Sequence, residues 1–113
     1  MITRNSLKKL KMALQVRITR RAGERIEKLL EYLETNWSSK ASADFLESFE
    51  RAILLIQSHP ASFPKSSVIK GLHKCVVSKQ STIYYTFDKD FVYIITLFDS
   101  RQNPQKLKRE VRF

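Results

Sequence analysis

The feature that most constrains this chain is a change in the repeat of its apolar residues, and the change falls at Pro60 and Pro64. Before it, Ala22, Ile26, Leu29, Leu30, Leu33 and Trp37 sit at helical spacing, so they form one stripe of an amphipathic helix. A second stripe runs through Phe45, Phe49, Ala52, Ile53 and Ile56. The polar break Asn36 to Ser39 separates them and offers Ser38 or Ser39 as a cap. The prolines cannot continue a helix, so the second one ends near His59. Beyond them the period becomes two: Val68 to Ser78, Thr82 to Phe87 and Phe91 to Phe98 read as strands. Leu14, Val16 and Ile18 alternate in the same way ahead of the helices, with Thr19 as a helix cap.

Two helices joined by so short a break must fold back on each other, and three strands joined by the turns at 78–81 and 88–90 must form a meander. The expected fold is therefore α+β: an N-terminal strand, an antiparallel two-helix hairpin, then a three-stranded antiparallel meander. Gly71 suggests a bulge or a close backbone approach. With period two, His73, Cys75 and Val77 share one strand face, and Leu72, Lys74 and Val76 share the other. Leu72 and Val76 read as core, which turns His73 outward and Lys74 inward or toward an edge. By the same argument Tyr85 joins the apolar set Ile83 and Phe87, and Tyr84 is the exposed aromatic.

At 113 residues the chain supports one domain, expected over 12–113, with residues 1–11 as a basic arm or an upstream start. Its net charge is +10 and is unevenly placed. The first 28 residues carry +7, residues 29–64 carry −3, and the remainder carries +6. Basic ends around an acidic middle imply one positive face, which suits a polyanion or an acidic protein. Cys75 is the only cysteine, so no internal disulfide forms, and His59 and His73 are too separated to suggest a metal site. No metal or cofactor is expected. No apolar run reaches the ~20 residues of a spanning helix, and a cytoplasmic protein is expected.

Chemistry concentrates at the tail. The alternating run 91–98 delivers Arg101 to a strand end, and Pro104 stops the sheet because it has no N–H to donate. A cation there either pairs with Asp99 or grips an external anion. His73 is a candidate proton-transfer group, and Lys74 a candidate phosphate-binding one. Lys79 on the following turn and Tyr84 on the next strand are candidates for substrate or phosphate binding.

The order of these landmarks resembles the bacterial RelE/ParE toxin superfamily of type II toxin–antitoxin modules. The matching pieces run from Val16-Arg17-Ile18 through Tyr32-Leu33-Glu34, Trp37, Ala43-Asp44-Phe45 and Ala52-Ile53. They continue with His59-Pro60, Phe63-Pro64-Lys65-Ser66, Gly71-Leu72-His73-Lys74 and Tyr84-Tyr85, closing on Leu97-Phe98-Asp99-Ser100-Arg101-Gln102-Asn103-Pro104. The resemblance implies a small basic toxin held by an acidic cognate antitoxin in a hetero-oligomer. RelE-like members cleave messenger RNA in the ribosomal A site, whereas ParE-like members inhibit DNA gyrase.

The residues weigh on both sides. RNA cleavage needs a group to activate the 2′-hydroxyl, cations for the phosphate and a donor for the leaving oxygen, and no metal if arginine and lysine hold the phosphate. Arg101, His73 and Lys74 are the catalytic set on that reading, assisted by Lys79 and Tyr84. Against it, RelE-like nucleases commonly carry a tyrosine or histidine near the C-terminus, and residues 106–113 contain neither. Ribosome-dependent cleavage by a metal-independent endoribonuclease is the reading adopted at this level. Gyrase inhibition is its alternative, and a basic nucleic-acid-binding module without chemistry is a third reading.

Overall fold

A computed structural model describes residues 14–111 of the chain. The basic arm expected over 1–11 lies outside the described residues. Strand β1 (Gln15–Ile18) leads into helices α1 (Arg20–Asn36) and α2 (Ser39–Ser58). Strands β2 (His73–Ser78), β3 (Ser81–Phe87) and β4 (Phe91–Asp99) follow, and a short helix α3 (Pro104–Glu110) ends the domain. The α+β order of strand, helix hairpin and meander is the expected one.

The strands form one four-stranded sheet in the order β1-β4-β3-β2. The meander is antiparallel, but β1 pairs with β4 in parallel, from Gln15 opposite Phe91 to Ile18 opposite Ile94. The sheet is thus mixed. A parallel neighbour needs a long connection, and here the helix hairpin followed by β2 and β3 separates β1 from β4 in the chain. Thr19 Oγ1 caps α1 by accepting from the Ala22 N–H (3.2 Å) and donates to the Ile95 carbonyl (2.7 Å), which pins the helix start to β4. Ser38 caps α2 through the Ala41 N–H at 3.0 Å.

The hairpin covers one sheet face. Phe45, Phe49, Ala52 and Ile56 of α2 pack with Cys75, Ile83, Tyr85, Val92, Ile94 and Leu97, while Ile26, Leu29, Leu30 and Leu33 of α1 close the edge of that core. Each of the fully buried aliphatic side chains here, such as Ile56, Ile83 and Ile94, contributes about 1.5–3 kcal/mol of burial. A second, smaller core lies on the opposite face, where Leu107 and Val111 pack on Ile69, Leu72 and Phe98. Helix α3 exists to cover it. Asn103 accepts from the Gln105 N–H (2.9 Å) as the cap, and Pro104 takes the first helical position, where its missing N–H costs nothing. No helix among the described residues is long and apolar enough to cross a membrane.

Four expectations need correction. The strand expected over 68–78 begins only at His73, because Gly71 takes a positive φ of 93° and turns the chain between Ile69 and Leu72. Neither the bulge nor the close backbone approach expected at Gly71 occurs there: nothing among the described residues lies within 4 Å of a Cβ at that position, and the register shifts fall between Val76 and Ser78 and between Tyr84 and Tyr85. Trp37 lies one residue beyond α1 and is 73% exposed, not part of the buried stripe. The face assignment of β2 is inverted: Cys75 is buried under the helices, and Val76 is 67% exposed. Leu72 is core, but in the second core on the other face, so it does not report which face the helices cover.

Candidate functional site

The inversion of β2 decides where the candidate groups go. His73 points toward the helix side, half-buried, with its ring stacked on Tyr85 at 5.4 Å and tilted against Phe87 at 5.4 Å. Its Nδ1 lies 2.9 Å from the Phe63 carbonyl, so the ring tethers the 60–66 loop to the sheet. The loop is also stitched to the start of β2 by the Lys74 N–H on the Pro64 carbonyl (2.9 Å) and the Ser66 N–H on the Leu72 carbonyl (2.7 Å). Tyr85 is fully buried and donates to the Pro60 carbonyl at 2.6 Å. Burial pushes its phenol well above the ordinary tyrosine range, and the Cys75 thiol adds to the effect.

Lys74 sits on the opposite face, directly across from Tyr84 in the antiparallel register. Tyr84 is half-buried against Phe98, edge-to-face at 6.2 Å, and burial raises its pKa. Lys79 lies in the turn after β2. Its neighbour Gln80 accepts the Ser100 N–H at 2.9 Å, so this turn abuts the end of β4. Arg101 stands at that same end. The strand β2 separates the two groups of candidates: His73 to Ser78 spans about 17 Å at the usual rise of a strand.

Arg101 is exposed and its fork is engaged. Nε donates to Asp99 Oδ1 (3.0 Å) and Nη2 to Asp99 Oδ2 (2.8 Å), and the Arg101 backbone N–H also reaches Oδ1 (2.9 Å). The side-chain hydrogen bonds from Arg101 hold the Asp99 carboxyl below its ordinary value. The pair fixes the guanidinium at the mouth of a groove of ≈ 320 Å³ between α1 and the end of β4. For a phosphate or carboxylate to take this fork it must displace Asp99. Among the described residues no three His, Cys, Asp or Glu side chains cluster as metal ligands would.

Sequence reasoning missed the residues that complete this groove. Arg25 and Lys28 of α1 and Lys106 of α3 line it together with Arg101. Arg25 runs beneath it, donating to the Leu97 carbonyl (3.4 Å) and pairing with Glu110 (2.7 Å). The signal was present: Arg21, Arg25 and Lys28 are spaced to share one helix face. Finding Lys106 needed α3, and Asn103-Pro104 is a cap-plus-first-turn pair that announces it.

Residues 16–104 match the family model for the ParE toxin of the type II toxin–antitoxin system parDE. No curated protein sequence matches the chain. Among solved structures, the chain is similar to one of the chromosomal ParDE toxin–antitoxin system from P. aeruginosa, with a TM-score of 0.67 at 9% identity. The match covers 79% of this chain and 97% of that one. At that identity the likeness concerns the fold.

Proposed function

The chain belongs to the ParE toxin family of type II toxin–antitoxin systems, and on that premise we propose that it arrests growth by inhibiting DNA gyrase until an acidic antitoxin sequesters it. One observation favours this over RNA cleavage: the candidate catalytic groups are dispersed. In-line attack by a 2′-hydroxyl needs base, acid and phosphate-binding cations within hydrogen-bond reach of one phosphate. Here His73 is stacked on the helix side, Lys74 and Tyr84 face the other way, and Lys79 and Arg101 stand at the far end of the strands. Inhibition of a protein target needs a surface, not a catalytic constellation.

The antitoxin partner follows from family membership, and its docking face is part of the proposal. Trp37 (73% exposed), Leu54 (63%) and Leu55 (50%) present apolar area on the helix hairpin that the described residues leave uncovered. An acidic segment that folds on this apolar face and reaches the basic sheet edge satisfies both features. The complex is then a hetero-oligomer acting in the cytoplasm.

Ribosome-dependent messenger RNA cleavage remains as a second reading because Lys74 and Tyr84 are direct cross-strand partners on the face not covered by the hairpin. A supercoiling assay tests the first reading: purified gyrase and relaxed plasmid, with and without the protein. Loss of supercoiling with rising protein is the expected result. Unchanged supercoiling at a concentration that arrests cells overturns it.

A further inference from the structure

Two adjoining depressions, of ≈ 320 and ≈ 450 Å³, share Arg25 and Lys28 as a common wall. Arg20 and Arg21 line one end, and Arg101 and Lys106 the other, so six cations border a single track. Only Glu24 and Asp99 oppose them in the lining. Both are already engaged, Glu24 by Arg20 (3.2 Å) and Asp99 by Arg101 (2.8 Å). Arg25 is held by Glu110. Among the described residues this leaves Arg21, Lys28 and Lys106 with no carboxylate within ion-pair distance. Arg21 and Lys28 are seven residues apart in the sequence, which puts them on one face of α1 about 10 Å apart along its axis.

We infer that this track binds the phosphodiester backbone of nucleic acid. Three uncompensated cations beside an Arg fork that can exchange its carboxylate for phosphate make an electrostatic site that needs no base contact. The chemistry of the floor separates this ligand from an acidic peptide. Leu97 and Phe98 in the lining are almost fully buried, which leaves half-buried Leu29 and the aliphatic stems of the cations as the apolar surface of the track, with no exposed large apolar side chain of the kind that anchors a folded peptide. The exposed apolar residues Leu54, Leu55 and Trp37 do not line it. Six cations around one half-buried leucine suit a backbone of phosphates. The inference stands apart from the gyrase reading, because direct binding to nucleic acid is measured with no gyrase present.

The test is fluorescence anisotropy of the full chain with a labelled DNA duplex and, separately, a labelled single-stranded RNA of the same sequence. With three phosphates neutralised, the logarithm of duplex affinity falls with the logarithm of salt at a slope of about −3. The triple variant Arg21→Glu/Lys28→Glu/Lys106→Glu is compared with Lys65→Glu/Lys70→Glu/Lys89→Glu, which makes the same charge change outside the track. The inference predicts that the track variant loses at least tenfold more affinity than the control variant, and that Lys28→Ala alone flattens the slope by about one. Tighter binding of duplex identifies DNA as the source of the phosphates, and tighter binding of the single strand identifies RNA; both support the track. Equal losses in the two triple variants overturn it, since charge anywhere would then suffice. Binding of poly-glutamate but of neither nucleic acid also overturns it and assigns the track to an acidic protein. The single variant keeps the test open if the triple one does not melt cooperatively.

Discussion

Arg25 and Glu110 join α1 to α3 through a part-buried ion pair, Nη2 to Oε1 at 2.7 Å, and the second carboxylate oxygen of Glu110 is buried without a partner among the described residues. The pair holds the short terminal helix over the second core, next to the end of β4, where Arg25 also meets the Leu97 carbonyl. Removing the cation strands a buried carboxylate, which costs more than removing both charges. Arg25→Ala is expected to lower the unfolding free energy by about 2–3 kcal/mol in urea titration. Glu110→Gln, which keeps the shape, is expected to cost less. Equal costs, or an additive double variant, would show that the two side chains are not coupled.

His73 is a structural residue on this account. Its ring is clamped between the Phe63 carbonyl and the Tyr85 ring. His73→Ala is expected to cost about 1–2 kcal/mol of stability, from one hydrogen bond and one aromatic contact, while growth arrest persists at a permissive temperature. Loss of arrest at unchanged thermal midpoint would restore His73 to a chemical role.

The pH dependence of stability has a defined sign at each end. Burial raises the folded-state pKa of Tyr85 above its ordinary value of 10.0, so its contribution is complete below that value and is lost as the pH climbs through the folded one. Hydrogen bonds lower Asp88 and Asp99 below 3.8, so their contributions are complete above that value and fade as the pH falls further. Thermal melts from pH 3 to pH 11 are expected to fall at both ends. Tyr85→Phe makes the alkaline fall shallower while losing the hydrogen bond to Pro60, with half-buried Tyr84 and buried Cys75 supplying the remainder, and an unaltered alkaline limb in that variant would contradict the assignment.

The hairpin face gives a prediction about neutralisation. Purified antitoxin is expected to raise the thermal midpoint of the chain in proportion to the logarithm of its concentration, reaching about 2.7 kcal/mol of stabilisation at a hundred times its Kd. The double variant Leu54→Glu/Leu55→Glu places charge on exposed positions, so the fold survives but the shift with antitoxin disappears. A full shift in that variant moves the antitoxin to another face.

The legible part of the fold was the part written in periodicity. Both helices, the Thr19 and Ser38 caps and the three meander strands follow from spacing and cap chemistry. Facing was harder to read because the sheet is covered on both sides. Leu72 is fully buried and Val76 mostly exposed although they share a face, since α3 reaches the first and not the second. A single alternation pattern assumes one core. The parallel pairing of β1 with β4 is likewise absent from the sequence, because it joins residues some 75 positions apart with the hairpin, β2 and β3 between them. Arg101 was found at its strand end, and its pairing with Asp99 was one of the two readings the tail allowed. The groove around it is not legible in strand alternation because it joins α1 to a terminal helix of only seven residues.

The central claim is that this toxin stops growth without cutting RNA. Primer extension on messenger RNA bound to translating ribosomes, with and without the purified protein, tests it most directly. The account predicts an intact message from protein that still arrests cells. New stops at A-site codons would contradict it and return Lys74, Tyr84 and Arg101 to the centre of a nuclease.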